Sequence, residues 1–481
     1  MSVSLRDLET FGDVAAEDEP VLDYFVATEA VSVVEDGRAW LVVGRKGSGK
    51  TALVRYFTEG YSSASTSLAL NLRKYPWALH SELRDAGASD AEAYVSSWRY
   101  VIATQYARVV LRQSQRPHFS RYISLKEFFD SNYGGIDPAP EDILRPSKLE
   151  MKGELRPTIF GNSLGSLHIS RSNKSLGQQL EGLSSAIMSV AADIAKNESL
   201  GEVFIHFDEL DQGLISLDES RSQMLTGLIL ATREVIREGR SQSYPIRIVV
   251  YLRSDIWRAL RFSDKNKISQ TNTYELVWDE KSMARLVDAR IAAQLGEGVT
   301  MGDIEDGQLM RGTQTKLKHI MSRGFFRPRD TIAFLNFALD RARQRTDSPL
   351  QFSNRDISGS RTQYSSYLKK ELDDEIGPHW PHWEEGLHAC SAVTTITFDR
   401  SAFEDKYAEK RSENNTAGVG EALSLLYEFS VVGYRSTSGY GGSEWVFQYL
   451  DSEAAWDTSA QRLKVHLGLK EVAKLREERQ S

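Results

Sequence analysis

The stretch LVVGRKGSGKTALVRYF, Leu41 to Phe57, decides the fold. Leu41, Val42 and Val43 read as a buried strand, and Leu53 and Phe57 share one helical face, so the glycine-rich turn between them joins strand to helix. Gly44, Gly49, Lys50 and Thr51 fill the pattern G-x-x-x-x-G-K-[ST], and Gly47 adds a further permissive position. A phosphate chain is cradled by converging backbone N–H groups, which demands φ values that residues with a Cβ resist. The loop from Gly44 through Lys46, Gly47, Ser48 and Gly49 is therefore the expected nucleotide cradle. Lys50 supplies a point charge for the phosphates and Thr51 a hydroxyl for Mg2+.

Binding is not cleavage, so a second element is needed. At Val203 to Gln212 the sequence VFIHFDELDQ is an apolar strand that stops at adjacent carboxylates. In phosphate-loop folds such a strand ends in an acid that holds the magnesium shell, and a following glutamate orients water. Asp208 fits the first role and Glu209 the second. Asp211 is either a helix cap or part of the site. Beyond the helical pattern SRSQMLTGLILATREVIREGR, Arg233 and Arg237 read as a solvated face, with reach to a neighbouring subunit's nucleotide as the other option. The strand IRIVVYLRSDIW then ends near Arg253, at the edge where ligands bind in open parallel sheets, and Arg253 is expected to sense the terminal phosphate in preference to forming a structural ion pair. In GFFRPRDTIAFLNFALDRA, Asp330 is a candidate N-cap. Arg327 and Arg329, with Pro328 fixing the backbone between them, stand ready either to reach phosphates from a lid or to pair with carboxylates.

About 150 residues separate the loop from the acidic strand, more than a minimal phosphate-loop core needs. AYVSSWRYVIATQYARVVLRQ reads as an amphipathic helix of the core. From about Pro117 to Lys174 glycines and prolines punctuate short runs that predict hairpins, and this is the expected insertion. Within it, residues 143–174 carry Arg145, Lys148, Lys152, Arg156, Arg171 and Lys174, the best local candidate for meeting nucleic acid or an acidic partner, against the alternative of an ordinary charged surface. The expected organisation is α/β: a phosphate-loop core with a parallel sheet over 1–278, a helical lid over 279–375 and a winged helix over 376–481. RQRTDSPLQFSNRDISGSRTQ reads as a connection, VVGYRS and SEWVFQYL as a hairpin, and LGLKEVAKLREERQS as an amphipathic helix. The helix before the hairpin carries Glu421 and Glu428 but no Lys or Arg, which argues against DNA contact there.

The 481 residues are 41% hydrophobic and 26% charged, enough for two or three cores, with a net charge of −8. That balance argues against a surface that is wholly a nucleic-acid footprint. No run of eighteen apolar residues and no apolar leader is present, so a cytoplasmic protein without membrane contact is expected. The single cysteine, Cys390, reads as a small buried apolar residue.

Together GRKGSGKTAL, HFDELD, YLRSDIW, RPRDTIAFLNFAL and LYEFSVVGY resemble bacterial P-loop ATPases related to the origin-recognition branch of AAA+ proteins and to STAND ATPases. The resemblance covers most of the chain outside the insertion. It implies a core, lid and winged helix that form a homo-oligomer when ATP is bound, with Lys50 and Thr51 on phosphate and magnesium, Asp208 and Glu209 on magnesium and water, Arg253 as sensor and Arg329 or Arg327 in the lid. Origin-recognition relatives usually carry asparagine where Arg253 stands, whereas STAND proteins often carry arginine, which favours a signalling switch. The leading expectation is thus a Mg-dependent ATPase switch that controls self-assembly or recruits a separate effector protein, by analogy in antiphage defence. The alternatives are a nucleotide-dependent DNA-binding or loading module using the basic insertion, and a scaffold that holds ATP without hydrolysis.

Overall fold

The computed structural model describes residues 3–13, 19–60, 66–71, 90–138, 143, 158–159, 162–163, 176–210, 218–437 and 443–477. They fall into two compact units, one of Glu29–Gly44 with Leu53–Glu275, the other of Met1–Thr28, Arg45–Ala52 and Leu276–Ser481.

The first unit is α/β. In chain order it holds α1 (Glu29–Glu35), β1 (Leu41–Gly44), α2 (Lys50–Arg55, of which the part from Leu53 on lies in this unit, continued by a π-turn over Tyr56–Gly60), β2 (Thr66–Asn71), α3 (Asp90–Gln113) and α4 (Ser120–Tyr133). There follow β3 (Thr158–Ile159), β4 (Asn162–Ser163), α5 (Leu176–Asn197), β5 (Val203–Asp208), α6 (Glu219–Gln242), β6 (Ile246–Arg253), α7 (Ser254–Ala259), α8 (Lys265–Asn272) and β7 (Thr273–Glu275). Five strands form one sheet in the order β2-β5-β6-β1-β7, every pair parallel. Strands covered on both faces read as unbroken apolar runs. Accordingly β1 and β5 are buried at every position, and β6 at all but Arg247.

Two local expectations change. α3 is not amphipathic: Ala103, Thr104 and Gln105 are as buried as Trp98 and Tyr106, because both α5 and α6 pack on it. The Trp98 indole donates to the Met224 carbonyl at 3.0 Å and meets Phe207 edge-on at 5.7 Å. The stretch expected to open the insertion with hairpins instead begins as helix α4, whose Leu125, Phe128 and Phe129 are buried at helical spacing. Gly134, with φ +75, ends it, and its N–H caps the Asp130 carbonyl at 3.1 Å, so the glycine pair read as a break is a helix stop. β3 and β4 do pair antiparallel. The basic residues Arg145, Lys148, Lys152, Arg156, Arg171 and Lys174, and also Asp211, lie outside the described residues.

The second unit opens with helices α9 (Glu280–Leu295), α10 (Lys316–Met321), α11 (Pro328–Ala342) and α12 (Asn354–Ile376). Asp279 and Ser282 form a capping box on α9. Leu5, Leu8 and Phe11 of the N-terminal segment join the same core, and Glu19 pairs with buried Arg290 at 2.6 Å. α11 begins at Pro328, so Asp330 is not its N-cap; its carboxylate instead accepts from the Phe325 N–H at 3.0 Å. α12 starts inside the stretch expected to be a connection, because Ser353 and Asp356 close a capping box there.

Next come α13 (Trp383–Val393), β8 (Thr397–Asp399), α14 (Arg400–Lys410), α15 (Val419–Glu428), β9 (Val432–Thr437), β10 (Ser443–Val446) and β11 (Arg462–Val465). The two helices and the β9–β10 hairpin are present, but β11 and β8 extend the hairpin into a four-stranded antiparallel sheet, β10-β9-β11-β8, broader than the expected wing. The tail is not a long helix. A 3-10 turn over Leu467–Leu469 and a left-handed Lys474 (φ +54) turn it so that Leu469, Ala473 and Leu475 are buried. Cys390 is buried in α13, and burial pushes its thiol up to about 12. Among the described residues no helix is long and apolar enough to cross a membrane.

Three buried histidines make stability acid-sensitive. Burial lowers His206 and His466 to about 3 and His319 to about 4, from 6.5. The unfolded chain binds these protons first, so the contribution is complete above pH 6.5 and is lost as pH falls toward the folded values. Between pH 7 and pH 5 each histidine should cost about 2 kcal/mol of unfolding free energy. Denaturant titrations at the two pH values check this, and His206→Phe should reduce the difference by about one such share.

Candidate functional site

In the α/β unit, register sets the site. Gly44 lies opposite Arg253 across β1 and β6, and Phe207 lies opposite Val250 across β6 and β5, so three adjacent strands deliver Gly44, Arg253 and Asp208 to one edge. This is the carboxyl edge, where open α/β sheets bind ligands. Asp208 and Glu209 are 6% and 7% exposed. Glu209 is held at φ +55, a left-handed conformation that costs a residue with a Cβ about 1 kcal/mol and is concentrated at functional sites.

Behind these acids, the His206 ring stacks with Phe57, Phe204 and Tyr251 at centroid distances of 5.4, 6.0 and 5.8 Å. Its Nδ1 is 3.0 Å from the Tyr251 hydroxyl. Burial first, and then the charge of Asp208, push that hydroxyl well above the ordinary tyrosine value. Arg253 forks onto Asp255, Nε to Oδ1 at 3.0 Å and Nη2 to Oδ2 at 2.7 Å, with both residues buried. In this conformation its guanidinium therefore sits in the ion pair that the sequence ranked second. Arg233 pairs with Asp264 at 3.0 Å and Arg237 is exposed, as a solvated face requires.

The loop residues Arg45–Ala52 belong by their contacts to the second unit. Gly47 and Gly49 have φ +76 and +95, the backbone for which the motif demands glycine. The Lys50 ammonium donates to the Arg45 carbonyl at 3.1 Å, folding over its own loop. Ser48 is buried; its N–H bonds the Arg45 carbonyl at 3.2 Å and its carbonyl accepts from the Trp278 indole at 2.8 Å. The Ser48 hydroxyl has no hydrogen-bond partner among the described residues. Thr51 is half-buried in the first turn of α2.

The side chains around the loop are mostly charged. Lys46 reaches Asp374 at 2.9 Å and Glu371 at 3.4 Å. Arg45 lies over the Phe325 ring at 4.4 Å and donates to the Ser430 hydroxyl at 3.1 Å and the Phe429 carbonyl at 3.3 Å. Arg327 and Arg329 differ in their surroundings. Arg327, 1% exposed, is bonded to Asp330 at 2.8 and 2.9 Å and to Glu375, so its charge is neutralised inside the core. Arg329 stands beside the loop: its N–H is 3.5 Å from the Gly47 carbonyl, its stem packs on Gly47, and its guanidinium bonds Glu371 at 3.1 Å. Trp278, Arg45, Glu371 and Asp374 were not singled out in the sequence, and no local pattern marks them, since their partners lie from 42 to more than 300 residues away.

The FunZ-associated C-terminal helical domain matches residues 281–373, the span of α9 to α12. Among solved structures, Cdc6p from Pyrobaculum aerophilum is similar over 94% of this chain and 96% of that chain, with a TM-score of 0.30 and 12% identity. No curated protein matches the chain.

Two substitutions test this description. A Cβ on Gly47 would lie 2.8 Å from the Arg329 Cβ, whereas one on Gly49 would meet only Trp278 at 4.0 Å. Both carry the left-handed penalty, so Gly47→Ala should lower the thermal midpoint more than Gly49→Ala, with roughly 1–2 kcal/mol lost at Gly47. Arg327→Ala leaves Asp330 and Glu375 buried without their cation and should cost roughly 3–5 kcal/mol by denaturant unfolding.

Proposed function

We propose that this chain is a Mg-dependent P-loop ATPase that works as a conformational switch. Its ATP state would favour self-association or recruitment of a separate effector protein, in bacterial antiphage defence. The observation that carries the proposal is the shared sheet edge: the glycine loop leaves β1 where the neighbouring strands end in Arg253 and in the acid pair Asp208-Glu209. The donor set suits a nucleotide. Gly47 and Gly49 give the loop its left-handed backbone, the buried Ser48 hydroxyl has no hydrogen-bond partner among the described residues, and Lys50 is half-buried against the loop.

When bound, MgATP supplies a phosphoanhydride to be cleaved and a metal that neutralises its oxygens. The protein's own contributions follow from its residues. Lys50 and the loop N–H groups hold phosphate oxygens, Thr51 and Asp208 hold the magnesium shell, and Glu209 orients a water and accepts its proton. Arg253 would sense the terminal phosphate by exchanging part of its pair with Asp255. Arg329, already against Gly47, would do so from the lid.

Turnover tests the assignment. Wild type should hydrolyse ATP, and Glu209→Gln should bind a fluorescent ATP analogue as wild type does while losing about 10²-fold or more in hydrolysis. Lys50→Ala should lose binding. Equal turnover by wild type and Glu209→Gln would remove Glu209 from its role, and retained nucleotide with no turnover in wild type would favour an ATP-holding scaffold.

A further inference from the structure

Glu371, Asp374 and Glu375 on α12 are spaced i, i+3 and i+4, so they form one acidic stripe on the helix. Around the stripe gather four cations. Lys46 reaches Asp374 at 2.9 Å and Glu371 at 3.4 Å; Arg329 bonds Glu371 at 3.1 Å; Arg45 stands 3.9 Å from Glu375; and Arg327 bonds Glu375. Two of the four, Arg45 and Lys46, are side chains of the glycine loop, and Arg329 packs on its Gly47. The stripe presents carboxylate oxygens to cations that a phosphate chain on this loop would also attract. No Lys or Arg occupies the last turn of α12, where the helix dipole is negative. The cations paired with Glu371 and Asp374 come from the loop and from the start of α11.

We propose that the acidic stripe of α12 is an internal competitor for nucleotide phosphate: Glu371 and Asp374 latch Lys46 and Arg329 in this conformation, and phosphate binding at the loop releases α12 from them. This rests on the nucleotide reading above and adds to it the element that would report occupancy. Arg327 is excluded from the exchange, since its pairing with Asp330 is fully buried, and it instead serves as the fixed pivot between the start of α11 and the end of α12. The charges that move are the partly exposed ones: side chains of Lys46, Arg329, Glu371 and Asp374 are 22%, 19%, 16% and 69% exposed. The Lys46–Asp374 pair, with Asp374 largely in solvent, is weak and screened by salt, as a reversible latch requires.

The test compares wild type, Glu371→Gln and Asp374→Asn for equilibrium binding of a fluorescent ATP analogue with magnesium, alongside hydrogen exchange of α12 with and without ATP. Neutralising the latch should tighten binding by about three- to ten-fold, with the gain shrinking at high salt. ATP should raise exchange in the last turns of α12 in wild type. Asp374, largely exposed, can be neutralised with little risk to folding, so loss of fold in Glu371→Gln alone leaves the comparison intact. Unchanged affinity in both variants, or α12 exchange indifferent to ATP, overturns the latch while leaving the nucleotide site standing. Absence of any ATP binding by wild type, equal to Lys50→Ala, overturns both.

Discussion

The pairing of β6 between β1 and β5 is the constraint on which the rest depends. It fixes Gly44 against Arg253 and carries Asp208 to the same edge, and because a parallel sheet runs all its strands one way, it aligns their carboxyl ends. A shift of one residue in either ladder would also turn the strand's side chains to the opposite face. That shift is opposed by His206, wedged among Phe57, Phe204 and Tyr251 with its Nδ1 against the Tyr251 hydroxyl. A polar side chain buried this deeply is tolerated only in the register that gives it a partner. The His206–Tyr251 pair therefore acts as a register pin directly behind the acids.

The loop obeys a different constraint. Its left-handed turns are written in Gly47 and Gly49, but its charged side chains are held by residues far along the chain, Glu371, Asp374 and Ser430, while Trp278 and Arg329 reach its Ser48 and Gly47 carbonyls. A conformation set by local φ values and a charge environment set by distant helices can change separately. The most exposed of these pairs, Lys46–Asp374, is worth only about 0.2–1 kcal/mol and can change without disturbing the left-handed turns. Arg327 cannot follow, since leaving two carboxylates buried and unpaired costs several-fold more. The same region thus contains a rigid ion pair and a loose one two residues apart.

Much of this was legible because it is written in short windows. The strand-loop-helix pattern at Leu41–Phe57, the strand ending at Asp208, the strand ending at Arg253 and the β9–β10 hairpin each occupy a dozen or so residues and were placed from periodicity and turn chemistry. What failed depended on context. α3 looked amphipathic because Thr104 and Gln105 are polar, yet packing by α5 and α6 buries them. α12 was hidden because its first turn is polar and its apolar positions, Ile357, Tyr364, Leu368, Leu372 and Ile376, are spread thinly over its length. The tail has helical spacing, but it is bound instead as turns, with the Arg476 backbone bridged to Thr395. Periodicity reports a face to bury, and the partner that buries it decides the element.

Arg253 shows the same limit for chemistry. Its place at the strand edge followed from sequence, but its fork onto Asp255, two residues on, is equally local and was weighed as the lesser option. The two roles are compatible in physical terms. The Asp255 fork takes Nε and an Nη2 donor of the guanidinium, so the geometry fixes the plane of the group. Being buried, the pair also pins the cation against the sheet edge, which an exposed arginine at the same position would not be. A cation that must distinguish one phosphate from its absence gains from being held this way, because less side-chain entropy remains to be lost when a second anion arrives. The ion pair thus holds the guanidinium preorganised at this edge of the sheet.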